Sequence, residues 1–197
     1  HHPDTPLLMS TLLAAADRSQ EFHLHPLGFF YLQERLDNEK TRRVHVWLAH
    51  MSDTADNDCH LHSYSINSSV VAGSMYSQLF DFEADEAGSE NEFLVSYEGN
   101  TSIVEPTGRR GRLVEIASFE TVAKANYWLE AGVIHRVVVR ERPCVTIVDT
   151  CERSIPVFSY GRRKEAAFTR RLPFAEEAAD IRRNLVAVVS KLSNMSI

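Results

Sequence analysis

Apolar and polar positions alternate along the middle of this chain in short runs, separated by polar or glycine-bearing connectors. Alternation with a period of two marks strands that bury one face. Residues 28–36 and 43–50 read as two such strands joined by the polar turn Asp37-Asn38-Glu39-Lys40, which is a hairpin pattern. An acidic loop is expected over residues 52–58. Residues 63–73 then form a β-rich segment ending at Gly73, a residue suited to a turn. β-Type residues continue over 74–83, and after a second acidic loop at 84–91 residues 93–97 supply another hairpin arm. Gly108-Arg109-Arg110-Gly111 predicts a turn, followed by shorter strands at 113–119 and 125–129, a strand carrying His135, and one at 145–151. Many short strands with turn residues between them argue for a sandwich or barrel and against alternating βαβ units.

Helical periodicity belongs to the two ends. Residues 7–16 are apolar and 10–20 have helical composition; the run is too short to span a bilayer and lacks a basic flank, so a helix packed on the barrel is expected. Residues 175–192 place Ala178, Ile181, Leu185, Val188, Val189 and Leu192 at helical intervals. Such a stripe must be covered, either on the barrel or across the two-fold interface of a homodimer. The expected organisation is an N-terminal helical segment at 1–27, which opens on a tag-like His1-His2 and has Met9 as a native start, a barrel at 28–160, and a basic linker with the C-terminal helix at 161–197.

Composition narrows the partners. A chain of 197 residues with 44% hydrophobic side chains can bury one substantial core. A net charge of −6 argues against a nucleic-acid partner, which needs a concentrated basic face. The basic cluster Arg162-Arg163-Lys164 and Arg170-Arg171 reads as a solvated linker. Cys59, Cys144 and Cys151 form no Cys-X-X-Cys pair, and an odd cysteine count without a membrane span or leader pattern fits a reducing cytoplasm.

Candidate chemistry concentrates in the histidines. In an extended segment His60 and His62 project to one face, and His135, on a strand that follows the turn at Gly132, is placed to complete a three-imidazole metal site. Cys59 points the opposite way and reads as a small buried hydrophobe. His23-Leu24-His25 repeats the spacing, but Pro26 follows at once, so it is not read as a ligand pair. His45 and His50 have opposite strand parity and are expected to line the barrel or to hydrogen-bond.

On these residues the chain resembles the cupin superfamily. The first cupin motif, a His-X-His pair, four residues, a glutamate, five residues and a glycine, is matched in spacing by His60, His62, Asn67 and Gly73, with Asn67 in the glutamate position. The second, Pro-X-Gly-X-X-His, is matched by Glu130-Ala131-Gly132-Val133-Ile134-His135 without its proline. The resemblance spans residues 42–160 and implies a mainly β jelly-roll barrel, the double-stranded β-helix, with flanking N- and C-terminal helices. With an amide in the glutamate position the implied ligand set is His60, His62 and His135. That set is similar to the thiol dioxygenases, which bind ferrous iron through three histidines; their Ser-X-His-X-Tyr relay is not matched at Ser154-Ile155-Pro156-Val157-Phe158.

The resemblance implies an iron(II) dioxygenase that uses O2 on a small carboxylated or thiol-bearing metabolite. Three neutral nitrogens fill half an octahedron and leave positions for substrate and oxygen. Zinc, nickel or manganese are the alternative ions. Tyr64, on the histidine parity, and Asn67, in the fourth-ligand position, are the candidate catalytic residues. By resemblance an early-strand arginine holds the substrate carboxylate: Arg35 is the first candidate, Arg43 the second, and Tyr31 shares the parity of Arg35. A non-catalytic cupin that binds a small molecule or supports assembly, and a zinc-type hydrolase or lyase, remain open.

Overall fold

The computed structural model describes residues 3–52 and 59–195. His1-His2 and residues 53–58 of the expected acidic loop lie outside the described residues. The chain begins with α1 (Thr5–Asp17), capped by Asp4, whose Oδ1 accepts from the Leu7 N–H at 2.9 Å. It ends with α2 (Ala175–Asn194), whose first turn is fixed by Glu177: one carboxylate oxygen accepts from the Phe174 N–H at 2.8 Å, and both accept from Arg171.

Among the described residues eleven strands lie between the helices: β1 (His23–Leu24), β2 (Phe30–Arg35), β3 (Lys40–Trp47), β4 (Cys59–His60), β5 (Tyr64–Ala84), β6 (Glu90–Glu98), β7 (Thr101–Val122), β8 (Asn126–Leu129), β9 (Ile134–Glu152), β10 (Val157–Gly161) and β11 (Ala167–Thr169). The pairings form a ring, β9–β4–β10–β6–β7–β5 and back to β9. β3 and β2 extend it from the later half of β9, and β8 lies on the early half of β5. The fold is mainly β with helices at both ends.

Both helices cover one outer face of this sheet. Leu8, Leu12, Ala15 and Ala16 of α1 and Ile181, Leu185, Val188, Val189 and Leu192 of α2 share a core with Phe30, Val44, Val46, Val145 and Ile147. Ile181 and Leu185 are fully buried, so the apolar stripe of α2 is covered within its own chain. Because strand side chains alternate, Val44 and Val46 face the helices while Arg43, His45 and Trp47 face the inside of the ring. This parity decides which residues meet the site. Among the described residues no helix is long and apolar enough to cross a membrane.

Three strands are far longer than the sequence pattern predicts: β5 has 21 residues, β7 has 22 and β9 has 19. Gly73 does not end a strand. It sits inside β5 at φ +76°, where the register against β9 shifts, and a Cβ there would lie 2.4 Å from the Glu141 carbonyl oxygen and 2.9 Å from Cys144 Cα. The glycine lets β5 bend while the opposite strand presses against it. Likewise Gly108-Arg109-Arg110-Gly111 is no turn but lies within β7, with Gly111 paired to both Ala84 of β5 and Glu90 of β6. The basic segment after β10 is not all linker, since β11 pairs with the start of β7. Cys59 and Cys144 are buried and Cys151 is half-buried.

Candidate metal centre

The three histidines are brought together by one short ladder. β4 is wedged between β9 and β10, with His60 directly opposite His135 on one side and Ser159 on the other. Leu61 N–H donates to the Phe158 carbonyl at 3.0 Å, and Gly132 N–H donates to the His62 carbonyl at 3.0 Å. That second bond uses the turn at Gly132, whose φ of +81° a glycine adopts without strain. Cys59 and Leu61 bury their side chains on one side with Phe80 and Ile134, which leaves His60 and His62 together on the other. The expectation for Cys59 as a buried hydrophobe agrees with its 5% exposure.

His60, His62 and His135 converge, with one ring nitrogen of each within 4.8 Å of the others. Ring centroids are 4.5 Å apart for His60 and His135 and 4.8 Å apart for the other two pairs. His60 Nε2 and His62 Nε2 are 3.0 Å apart. Two nitrogens bound to one ion at about 2.0–2.1 Å, at right angles, also lie about 3 Å apart. His135 Nδ1 is 2.9 Å from the Val133 carbonyl oxygen, and a carbonyl can only accept, so the proton sits on Nδ1 and the Nε2 lone pair is left for a ligand role. Burial lowers the imidazole pKa of His135 to about 3 and holds that of His62 well below the usual range, with the neighbouring histidines adding to the effect. The two rings are therefore neutral and ready to bind a cation. The donor set fits a divalent metal.

Beside the cluster stands one fixed cation. Arg43 is 9% exposed and its guanidinium lies over the Tyr31 ring at 4.5 Å, with Nη1 donating to the Tyr64 hydroxyl at 3.0 Å. Tyr64 in turn stacks on His62 with a centroid separation of 4.6 Å. Arg43, Tyr64 and the three-histidine cluster thus form one continuous wall.

Two of the expected site residues do not reach it. Arg35 shares the parity of Tyr31 but lies at the far end of β2, exposed, donating to the Asn38 carbonyl at the hairpin turn. The parity argument for it was sound and the distance along the strand was not. Asn67 sits between Ile66 and Ser68, both of which face the cavity, so its amide faces the other side of β5 and accepts from Asn126 Nδ2 at 3.1 Å. Tyr64, Ile66 and Ser68 carry the parity of His62 along β5, so Asn67 falls on the opposite face.

Two connected spaces surround the cluster. An inner chamber of about 90 Å³ is bounded by His62, His135, Arg43, His45, Trp47 and Thr146 among others. A wider vestibule of about 680 Å³ opens outward past Tyr31, Tyr97, Glu152 and Arg170. Arg43, Tyr64, His25, His60 and His62 line both, so they form the neck. The sequence pattern marks neither His25 nor His45 as a metal ligand. His25 stacks on Phe29 and accepts the Leu27 N–H at Nδ1, which puts its own proton on Nε2. His45 fulfils the expectation of a cavity-lining histidine. Strand parity alone placed His45 with Arg43; only the β2–β3 register brings His25 beside them.

No protein-family model and no curated protein matches the chain. Solved structures of similar shape include oxalate decarboxylase from Bacillus subtilis at pH 4.6, 10% identical, with a TM-score of 0.40 over 75% of this chain and 29% of that one. The formate complex of Lactobacillus farciminis oxalate decarboxylase is 10% identical, with a TM-score of 0.41 over 77% of this chain and 45% of that one. A Bacillus subtilis oxalate decarboxylase structure concerned with manganese(II) centres is 9% identical, with a TM-score of 0.41 over 78% and 41%. The chain spans less than half the length of each. The chain's own residues place a three-histidine cluster in a mainly β ring.

Proposed function

We propose that this protein is a mononuclear metal-dependent enzyme that holds a small organic anion between Arg43 and a divalent ion on His60, His62 and His135, with an iron(II)-dependent dioxygenase as the leading reaction class. The observation that carries it is the position of Arg43: a buried guanidinium, on the cavity wall, linked through Tyr64 to a ligand histidine. A bound divalent ion supplies Lewis acidity and open coordination positions for an anionic ligand. Arg43 neutralises and orients the carboxylate. Tyr64 accepts from Arg43, which leaves its own hydroxyl proton to donate toward a ligand in the neck. Ile66, Val137 and Val148 keep the chamber behind it largely apolar, which strengthens these polar contacts.

Zinc chemistry is the second reading, favoured by the same three neutral imidazoles, which with one water make up a four-coordinate zinc shell and suit a hydrolase or lyase. Elemental analysis of protein purified without chelator, followed by turnover assays over small carboxylates and thiols, separates the two. Oxygen uptake by the iron-loaded protein, lost on removing Arg43 or His62, supports the dioxygenase. Anaerobic turnover with zinc, manganese or nickel supports the hydrolase or lyase. Metal retention with no turnover makes the protein a binding module, and failure to retain any metal overturns the proposal.

A further inference from the structure

The inner chamber carries more polar chemistry than an ion and the carboxylate of its ligand would use. Three side-chain atoms on its wall are buried with no hydrogen-bond partner among the described residues: Arg43 Nε, His45 Nε2 and Thr146 Oγ1. Such atoms are uncommon, because each has given up water without replacement. Their placement is ordered. Arg43 and His45 stand two residues apart on one face of β3, about 7 Å along the strand, and Thr146 lies directly opposite His45 on β9. Thr146 is 1% exposed. Past His45 the wall becomes apolar: Phe29 stacks on His45 at 4.6 Å and packs on Trp47 at 4.7 Å.

We infer that the chamber recognises a short monocarboxylate bearing an uncharged hydrogen-bonding group at its far end, the carboxylate meeting Arg43 at the neck and the far group meeting His45 and Thr146. This rests on the anion-binding reading above and adds the identity of the far end. Length follows from the strand: residues whose Cα positions lie about 7 Å apart along β3 suit a short ligand of roughly three to five carbons. Size agrees, since a chamber of about 90 Å³ holds several water-sized groups and no more. The kind of group follows from its partners. A hydroxyl both donates and accepts, matching a threonine hydroxyl and a neutral imidazole together. Burial holds His45 well below the usual imidazole pKa, and among the described residues Arg43 is the one permanently charged side chain on the chamber wall. A second carboxylate would meet no cation at the far end, and a methyl group would leave His45 and Thr146 unpaired.

The test is calorimetric titration of the full chain, zinc-loaded and metal-free, with 4-hydroxybutyrate, butyrate and succinate. The wild-type chain is expected to bind 4-hydroxybutyrate at least about tenfold more tightly than either analogue, as sites built around a substrate hydroxyl do. Thr146→Val and His45→Leu should each bring that ratio to within about threefold of one, by weakening 4-hydroxybutyrate and by relieving the unpaired groups that oppose butyrate, while leaving zinc content unchanged. Thr146→Val is nearly isosteric, so the test survives a misfolded His45→Leu. Equal affinity for the three acids, no binding of any, or an undiminished preference in Thr146→Val overturns the inference. A preserved hydroxyl preference in the metal-free chain supports it whether or not the histidines retain an ion, so the two readings are overturned separately.

Discussion

Arg43 Nη1 donates to the Tyr64 hydroxyl at 3.0 Å, joining β3 to the start of β5 across the neck of the cavity. The bond holds a guanidinium in a place where an arginine is expensive to bury. Its partners are a ring face and one hydroxyl, with Nε left over on the chamber side.

Replacing Arg43 therefore removes charge from the site more than it removes structure. Arg43→Gln should weaken binding of small carboxylates by about 10- to 150-fold, the range of charge-assisted hydrogen bonds worth roughly 1.5–3 kcal/mol. Arg43→Lys should recover less than half of that free energy, because an ammonium cannot reproduce the planar fork. Titration calorimetry on folded variants checks both; equal affinity in Arg43→Gln would remove Arg43 from the site.

Metal retention should depend on each histidine, but the fold should not depend equally on all three. His62 lies past the end of β4 and is half-buried, so His62→Ala is expected to lower metal affinity at least about tenfold with a melting temperature changed by only a few degrees. His135 is 4% exposed and bonded to Val133, and His135→Ala should cost an additional 1–3 kcal/mol or so for the emptied, unpaired site. Elemental analysis beside thermal melts separates the two effects.

The pair His60 and His62 was legible from a two-residue parity, and His135 from its glycine turn and the motif resemblance, while their meeting is the long-range pairing of β4 with β9. The same parity correctly excluded Cys59. What was not legible depends on long-range register. Arg35 and Tyr31 share a face, yet only the pairing of Arg35 with Thr41 at the hairpin end puts Arg35 in water, and only the pairing of His45 with Thr146 puts those two in one chamber. Strand lengths failed for a related reason. Gly73, Gly108 and Gly111 are breakers in a sequence window, but inside a ring of paired strands they are the points where a strand bends and continues.

Gly73 should accordingly be intolerant of any side chain. Gly73→Ala combines a positive φ with Cβ contacts of 2.4 and 2.7 Å to two carbonyl oxygens, and neither strand has room to retreat. A loss of about 3 kcal/mol or more is expected in urea denaturation. A change under about 1 kcal/mol would mean that β5 does not bend there.

The metal-free protein should lose stability in mild acid. His25, His45, His62 and His135 are all held below the usual imidazole pKa by burial, with His135 near 3. Below pH 6.5 the unfolded chain binds protons that the folded chain refuses, so stability is present above the unfolded pKa and falls as pH drops toward the folded values. Each such histidine can cost up to about 1.4 kcal/mol per pH unit in that window. Unfolding free energies from urea titration in chelator at pH 7.5 and 5.5 should therefore differ by roughly 2 kcal/mol or more, and a flat profile would show that these rings are protonated in the folded state.

Asn67 provides the sharpest contrast between motif spacing and geometry. If spacing decided its position, Asn67→Glu would add a carboxylate to the metal, tighten binding and block a coordination position. Its side chain instead faces Asn126 on the outer side of β5, opposite Asp149 in the ladder with β9. The expected result is unchanged metal affinity and unchanged turnover, with a stability loss of about 0.2–1 kcal/mol from the new carboxylate facing Asp149 across the strands. A glutamate that altered metal affinity more than about threefold would put the start of β5 in a different register, and with it the positions of Tyr64, Ile66 and Ser68 around the site.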